Sequence, residues 1–168
     1  MFFFPTEKAR AIRLLILDVD GILTSGKLLY GTEGVLIDFH VHDGLGMKRL
    51  QQHGIEVAVI TSRQSEAVTR RMQDLGITHL WQGQRDKLTA YDALKQALQL
   101  QDTEIACMGD DLPDLPLLQR AGLAVTVKQA PAAIRRAADW CTRTRGGEGA
   151  VRELADRLLK AQGKPVSP

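Results

Sequence analysis

The chain has 168 residues, and its 22 basic and 20 acidic side chains give a formal net charge of +2. This length suits a single domain. The balanced, interspersed charges do not indicate nucleic acid or a membrane surface as a partner. No stretch approaches the roughly 20 apolar residues of a membrane helix. The two cysteines, Cys107 and Cys141, lie in apolar runs, which suits buried thiols in a reducing cytoplasm. We therefore expect one cytoplasmic domain over residues 1–162, followed by a disordered tail over 163–168.

Short apolar runs alternate with amphipathic stretches along the chain. The runs are Leu14–Val19, Val57–Thr61, Thr78–Trp81, Ile105–Met108, Leu123–Val127 and Trp140–Thr142. Between them, apolar residues recur three or four positions apart, as in Val151, Leu154 and Leu158, and this spacing is typical of one helix face. The β-α-β-α order predicts an α/β fold with a Rossmann-like, three-layer arrangement, in which helices cover both faces of a parallel sheet.

One segment, about residues 27–41, interrupts this order. Two strand-like runs there flank a turn bounded by Gly31 and Gly34, and this pattern predicts a β-hairpin rather than a crossover helix. The hairpin is inserted between the first strand and the first helix of the alternating pattern. We therefore expect it to project over the carboxyl edge of the sheet.

Two carboxylates, Asp18 and Asp20, stand at the end of the first apolar run, and Gly21 follows them. The carboxyl ends of parallel strands are where α/β proteins place their ligands. Neighbouring buried carboxylates are costly unless a cation or an unusual protonation state relieves their repulsion. The pair therefore indicates a metal ion, a shifted protonation equilibrium, or both.

Further polar residues follow the next apolar runs. They are Thr61, Ser62 and Arg63, then Lys87, and finally Asp110, Asp111 and Asp114. Each of them has an ordinary structural explanation as a helix cap or a solvated side chain, but together they converge on one edge of the sheet. Mg²⁺ prefers oxygen ligands, which Asp18, the Asp20 carbonyl and Asp110 would supply, while a hydroxyl and a lysine neutralise phosphate oxygens. The set indicates phosphoryl transfer.

These segments resemble the four motifs of the haloacid dehalogenase superfamily of phosphatases. The matching segments are Asp18–Thr24, Thr61–Arg63, Lys87 and Gly109–Asp114. More narrowly, Phe39–Met47, Gly83–Lys87, Gly109–Pro116 and Gly146–Glu153 resemble the 3-deoxy-D-manno-octulosonate 8-phosphate phosphatases, a group that also contains phosphatases of related nine-carbon sugar acid phosphates. The resemblance implies a fold without a separate cap domain, a role in lipopolysaccharide precursor synthesis, and a homotetramer whose hairpins pack together.

The resemblance also implies a role for each motif residue. Asp18 would be the nucleophile that forms an aspartyl-phosphate, and Asp20 would be the general acid and then the general base. Asp18, the Asp20 carbonyl and Asp110 would hold Mg²⁺. Asp111 and Asp114 would support the metal site from behind. The phosphate would be bound by Thr61, Ser62 and Lys87, with the hydroxyl contact assigned to Thr61.

Candidates for binding the sugar acid are less sharply defined. They are Asp20, His42, Asp43, Gly44, Arg63 and Arg71. Guanidinium groups match a substrate carboxylate, and Arg71, eight residues after Arg63, is expected on nearly the same helix face, although helix arginines are often simply solvated. His42 departs from the usual family sequence. The Gly146–Gly149 stretch is either a flexible turn before a helix beginning near Glu148 or a contribution to the site of a neighbouring subunit.

Three other functions are compatible with parts of the pattern. The first is a phosphatase for a nine-carbon sugar acid 9-phosphate. The second is a signalling receiver domain, which also uses a phosphorylated aspartate, magnesium, a hydroxyl and a lysine, but in which the acidic pair follows the first strand and the phosphorylated aspartate ends a middle one. The third is an inactive subunit on a phosphatase scaffold, which the intact set of acid, hydroxyl and lysine positions disfavours.

Overall fold

The computed structural model describes residues 3–32 and 34–166, which form eight strands and seven helices. The strands are β1 (Leu14–Leu17), β2 (Leu29–Gly31), β3 (Gly34–Leu36), β4 (Glu56–Ile60), β5 (His79–Trp81), β6 (Ile105–Met108), β7 (Leu123–Thr126) and β8 (Trp140–Cys141). Six of them form one parallel sheet in the order β5-β4-β1-β6-β7-β8, and β2 pairs with β3 as a separate antiparallel hairpin. The predicted α/β fold, including its hairpin insertion, is confirmed.

Helices connect the strands of the parallel sheet and cover it. They are α1 (Thr6–Arg10), α2 (Val41–Gln52), α3 (Glu66–Asp74), α4 (Lys87–Ala97), α5 (Leu115–Arg120), α6 (Ala132–Ala137) and α7 (Ala150–Ala161). From β1 the chain moves outward to β4 and β5, and then crosses back to β6 and continues to β7 and β8. Because crossovers are right-handed, this reversal puts α2 and α3 on one face and α4, α5 and α6 on the other. Helix α7 packs on α1 and α2 and so completes the first layer.

The centre of the sheet explains why the first run is so apolar. All four residues of β1 and of β6 are buried, as expected for parallel strands covered on both faces. Leu17 is paired with Val59 of β4 on one side and with Met108 of β6 on the other. The residues that follow these three strands therefore leave the sheet at the same edge.

Within the first layer, helices α2 and α7 are in close contact. The backbone N–H of Arg152 donates a hydrogen bond to Asp43 Oδ1 at 2.8 Å. A Cβ on Gly46 would lie 3.1 Å from the Arg152 Cα, so the two helices approach closely where Gly46 has no side chain. Asp43 thus anchors the start of α7 to α2.

Several boundaries differ from the sequence prediction. Helix α1 was not predicted, although its Ala9 is fully buried in the core. Helix α7 begins at Ala150 rather than near Glu148, because Gly147 and Gly149 adopt positive φ angles that a right-handed helix excludes.

Part of the segment predicted as a disordered tail, residues 164–166, contacts the rest of the domain. Lys164 Nζ donates a hydrogen bond to the carbonyl of His53, and Arg49 Nη2 donates to the carbonyl of Pro165 at 2.7 Å. Val166 packs against the core. The remaining tail residues, 167 and 168, lie outside the described residues. Among the residues that the structure describes, no helix has both the length and the apolar character that crossing a membrane requires.

Candidate active site

An acidic cleft of about 180 Å³ lies at the carboxyl edge of the sheet. Its lining residues are Asp18, Asp20, Thr61, Ser62, Arg63, Lys87, Asp110, Asp111, Pro113 and Asp114. They come from the ends of β1, β4 and β6 and from the start of α4, which the parallel register brings to one place. The metal, phosphate and acid-base candidates of the sequence analysis therefore lie together, with five carboxylates and two cationic side chains around one small space.

Lys87 forms a buried ion-pair network with two of these carboxylates. Its Nζ donates hydrogen bonds to Asp18 Oδ1 at 2.7 Å and to Asp114 Oδ1 at 2.6 Å, and Lys87 is only 4% exposed. Burial acts to lower the pKa of Lys87, but the charges of Asp18 and Asp114 outweigh it and raise that pKa above its usual value. The lysine therefore stays charged at the first turn of α4, where the helix dipole alone would disfavour it.

Asp20 and Gly21 form the centre of a tight turn after β1. Asp20 has φ −71° and ψ 122°, and Gly21 has φ +82° and ψ −9°, which are the angles of a type II turn. Gly21 is needed for its positive φ and also for space, because a Cβ there would overlap the carboxylate of Asp110. The Asp20 carboxylate accepts a hydrogen bond from Arg63 Nε at 2.7 Å. The turn thus brings Asp20 beside Arg63 and lets Asp110 approach β1.

The acidic loop after β6 is organised by Asp114. Its Oδ2 accepts the backbone N–H groups of Asp110 at 2.9 Å and of Asp111 at 3.3 Å, while its Oδ1 accepts Lys87 Nζ. Asp111 caps the short 3₁₀ turn that follows, by accepting the N–H of Leu112 at 2.8 Å. Because both Asp114 oxygens are already engaged, Asp114 is better suited to hold the loop than to bind a metal directly.

The carboxylates of the cleft fit a magnesium ion. One carboxylate oxygen each from Asp18, Asp110 and Asp114 lies within 4.8 Å of the others, and such a cluster of carboxylate oxygens is the kind of donor set that magnesium prefers. Burial, together with neighbouring carboxylate charge, raises the pKa of Asp18 to about 6 and that of Asp110 to about 7. A dication would relieve this repulsion, and since Asp114 is otherwise engaged, the carboxylates left to bind it are those of Asp18 and Asp110.

Two hydroxyl residues follow β4, and their contacts differ. Thr61 is buried, and its Oγ1 accepts the backbone N–H of Arg63 at 3.2 Å. Ser62 Oγ instead donates its proton to the carbonyl of Gln84 at 3.0 Å. Since the Ser62 proton is already used within the chain, Thr61 is the better donor for a phosphate oxygen.

The comparisons with known proteins place the chain in a family. The sequence-family model for haloacid dehalogenase-like hydrolases matches residues 77–154. The 3-deoxy-D-manno-octulosonate 8-phosphate phosphatase of Escherichia coli K12 is 48% identical over 94% of this chain and 84% of its own length. The chain therefore belongs to the 3-deoxy-D-manno-octulosonate 8-phosphate phosphatase family of haloacid dehalogenase-like hydrolases.

Solved structures of related proteins have the same fold as this phosphatase. A haloacid dehalogenase superfamily hydrolase of subfamily III A from Legionella pneumophila is 52% identical, with a TM-score of 0.92 over 94% of this chain and 87% of that one. The 3-deoxy-D-manno-octulosonate 8-phosphate phosphatase of Moraxella catarrhalis, solved with magnesium, phosphate and KDO, is 45% identical, with a TM-score of 0.91 over 94% of this chain and 91% of that one. The receiver-domain alternative is therefore wrong.

Four of the predicted substrate-binding residues lie outside the cleft of this phosphatase. They are His42, Asp43, Gly44 and Arg71. His42 is exposed, with its ring 5.0 Å from that of His40. Asp43 is buried against α7, and burial raises its pKa. Gly44 makes room for the Arg71 guanidinium, which lies 5.9 Å from the centre of the Phe39 ring.

The position of Arg71 corrects the expectation that it shares a helix face with Arg63. Helix α3 begins only at Glu66, so Arg63 lies in the preceding loop and helical periodicity does not relate the two arginines. Arg63 lines the acidic cleft, whereas Arg71 lines a separate groove of about 450 Å³ between the hairpin and α3.

Sequence reasoning missed contacts that hold the Asp20–Gly21 turn. Gln129 Nε2 donates a hydrogen bond to the Gly21 carbonyl at 3.1 Å, and the Gly147 N–H donates to the Ile22 carbonyl at 2.9 Å. The Gly146–Gly149 stretch therefore packs, within its own chain, beside the Asp20–Gly21 turn. The cluster of glycines was the only sequence signal for it, and Gln129 gave none.

Magnesium should raise the melting temperature Tm more at about pH 8 than at about pH 5.5. Folding raises the pKa values of Asp18 and Asp110 to about 6 and about 7, so the folded metal-free protein keeps protons that the unfolded chain releases. The free energy of unfolding of the metal-free protein therefore falls as the pH rises toward these pKa values. At the higher pH both carboxylates are ionised, so magnesium binds without displacing protons.

Thermal unfolding with magnesium or with a chelator, at both pH values, measures this difference. Sodium chloride of matched ionic strength is the control. A magnesium-induced shift of equal size at the two pH values would contradict the assignment of these carboxylates to the metal.

Proposed function

We propose that the protein is a magnesium-dependent phosphatase that hydrolyses 3-deoxy-D-manno-octulosonate 8-phosphate to the free sugar acid and phosphate. The observation that carries this proposal is the buried Lys87, which is hydrogen-bonded to Asp18 beside a cluster of carboxylates that could hold a metal ion, in a chain 48% identical to a phosphatase of that name. The related structure solved with magnesium, phosphate and KDO supports the same substrate. The reaction would supply a lipopolysaccharide precursor.

Asp18 is the nucleophile in the proposed mechanism. One of its oxygens attacks phosphorus, the bond from phosphorus to the sugar oxygen breaks, and Asp20 gives a proton to the departing sugar oxygen. Asp20 then removes a proton from a water molecule, whose oxygen attacks the aspartyl-phosphate, releasing phosphate and restoring Asp18. Lys87 and Thr61 hold the phosphoryl oxygens throughout.

Asp18, Asp110 and the Asp20 carbonyl would hold the magnesium ion. The bound ion supplies positive charge that offsets the phosphoryl oxygens. Asp114 keeps the loop of Asp110 in place through its bonds to the backbone, and Asp111 supports that loop as a cap.

Arg63 is the proposed contact for the sugar-acid carboxylate. It lines the cleft and lies beside Asp20, and a guanidinium matches a carboxylate in shape and charge. We also propose a cytoplasmic location, which the free thiols of Cys107 and Cys141 suit.

Asp18→Asn should lower magnesium-dependent phosphate release by at least about a thousandfold, because an amide is not a nucleophile at phosphorus. Phosphate release from 3-deoxy-D-manno-octulosonate 8-phosphate measures the effect. Asp92→Asn is the matched control, because Asp92 is an exposed aspartate paired with Arg120 outside the cleft. Full activity of Asp18→Asn would refute the nucleophile assignment.

Among phosphate esters, the wild-type protein should have its highest kcat/KM with the eight-carbon sugar acid phosphate. The panel contains that ester, a nine-carbon sugar acid 9-phosphate and glucose 6-phosphate, which lacks a carboxylate for Arg63. Preference for the nine-carbon ester would favour the alternative substrate. Equally slow hydrolysis of all three would contradict a sugar acid phosphate as the substrate.

We propose that the protein is a homotetramer, with sites completed by neighbouring subunits. The hairpin supports this proposal, because its apolar side chains are exposed in the single chain. Those side chains are Leu29, Tyr30, Val35 and Leu36, which are 58%, 80%, 40% and 66% exposed. Such a patch is typical of a surface that another protein covers.

Tyr30→Lys combined with Leu36→Lys should convert the assembly to smaller species, because the charges would be buried at the interface. Light scattering after size-exclusion chromatography measures the mass. Leu112→Lys is the control, since Leu112 is 65% exposed but lies outside the hairpin. An unchanged mass of the double variant, or a monomeric wild type, would contradict the role of the hairpin.

A further inference from the structure

The turn that carries Asp20 is held from outside by segments more than 100 residues later in the chain. Gln129 Nε2 donates to the Gly21 carbonyl at 3.1 Å. The backbone of Gly146 packs directly on that carbonyl, so that a Cβ on Gly146 would overlap it. Gly147 N–H donates to the Ile22 carbonyl at 2.9 Å. Three contacts therefore fix two successive peptide carbonyls after Asp20.

The direction of the Gly21 carbonyl matters because of the turn type. In a type II turn the second central residue needs a positive φ, and glycine adopts or leaves that conformation more readily than any other residue. Gly21 is such a glycine, with φ +82°. The Gly21 carbonyl belongs to the peptide that follows the central Asp20–Gly21 peptide, so holding it fixes the backbone angles of Gly21 and with them the orientation of Asp20. Among the described residues, the Asp20 carboxylate accepts a hydrogen bond from Arg63.

Gln129 is the only side chain among these three contacts, since the others come from backbone. Its Oε1 is buried and, within the described part of the chain, has no hydrogen-bond partner. Burying an unsatisfied amide oxygen costs stability, so a simple apolar residue would serve the fold better at this position. An apolar residue, however, could not donate a hydrogen bond to the Gly21 carbonyl as the Gln129 amide does.

We infer that Gln129 is a positioning residue for the general acid, acting through the Gly21 carbonyl to hold Asp20 at the departing oxygen of the substrate. Gln129 does not line the cleft and touches no reacting atom. This inference rests on the proposed phosphatase function and on the role of Asp20 in it. It assigns part of the catalytic geometry to the segment after β7.

The test compares two esters that differ in their need for an acid. A sugar phosphate releases an alkoxide and needs a proton from Asp20, whereas p-nitrophenyl phosphate releases a stable phenolate and needs little help. Both esters form the same aspartyl-phosphate on Asp18, so the ratio of their kcat/KM values reports on the leaving-group end of the ester. A change that falls on kcat rather than on KM assigns the effect to proton transfer from Asp20 rather than to binding of the sugar acid.

Gln129→Met removes the amide but keeps nearly the same size. Gln162→Met is the matched control, because Gln162 Nε2 also donates to backbone carbonyls, those of Ala9 at 3.1 Å and Ile12 at 2.8 Å, but at the far side of the domain. Both variants lose the same kind of hydrogen bond. A general loss of stability would therefore appear in both.

For Gln129→Met we expect kcat/KM with 3-deoxy-D-manno-octulosonate 8-phosphate to fall about 10- to 100-fold, mostly through kcat. We expect a much smaller change with p-nitrophenyl phosphate and an unchanged ratio in Gln162→Met. Equal losses on both esters, or the same change of ratio in Gln162→Met, would overturn the inference.

A second variant keeps the test valid if Gln129→Met does not fold, as judged by circular dichroism. Gln129→Asn retains the amide but is one methylene shorter, and it should show the same selective loss on the sugar phosphate. Activity of the wild type reports separately on the proposed function. A wild type that hydrolyses neither ester would refute that function, whereas an active wild type with unchanged ratios in the variants would refute only the role of Gln129.

Discussion

The buried lysine between two aspartates is the interaction on which the arrangement of the site depends. Lys87 Nζ joins Asp18, at the end of β1, to Asp114, in the loop after β6, while the lysine itself opens α4. Three separate segments are thereby fixed around one charge. Desolvating such a network offsets much of its Coulomb energy, and leaving one member unpaired is strongly unfavourable. Its main effect is therefore to determine where the carboxylates lie rather than to stabilise the fold.

The cleft contains more negative charge than this network balances. Five carboxylates and two cationic side chains line it, and neighbouring carboxylates contribute to the raised pKa values of Asp18 and Asp110. A phosphate monoester would bring about two further negative charges into the same space. A divalent cation in the cleft would offset part of this charge, so we expect substrate affinity as well as the reaction to depend on the metal.

The sequence was most informative where function depends on the ends of strands. Asp18, Thr61 and Asp110 lie at or just after the ends of apolar strands, so the parallel register alone brings them together. Lys87 was identified because a helix start disfavours a cation. The position of Arg71 could not be predicted in this way, since it depends on where α3 begins. Nor did the sequence indicate that Asp43 accepts a hydrogen bond from the start of α7, since that contact depends on how α2 packs against α7. Gln129 reaches Gly21 across 108 residues, and no local pattern encodes such a contact.

The size of the cleft separates the chemistry from substrate recognition. At about 180 Å³ it is smaller than the roughly 300–1,000 Å³ that pockets for whole small-molecule ligands occupy, so it suits the phosphoryl group and leaves the sugar acid outside. Asp20 and Arg63 stand partly exposed, each about one third, at the border between these two regions. Asp20, the proposed proton donor, is therefore adjacent to Arg63, the proposed contact for the substrate carboxylate. The position of Asp20 then limits where the ester oxygen of a substrate bound to Arg63 can lie. For that reason the backbone contacts of Gly21 with Gly146 and Gln129 affect both the chemistry and the fit of the sugar acid, although neither residue lies in the cleft.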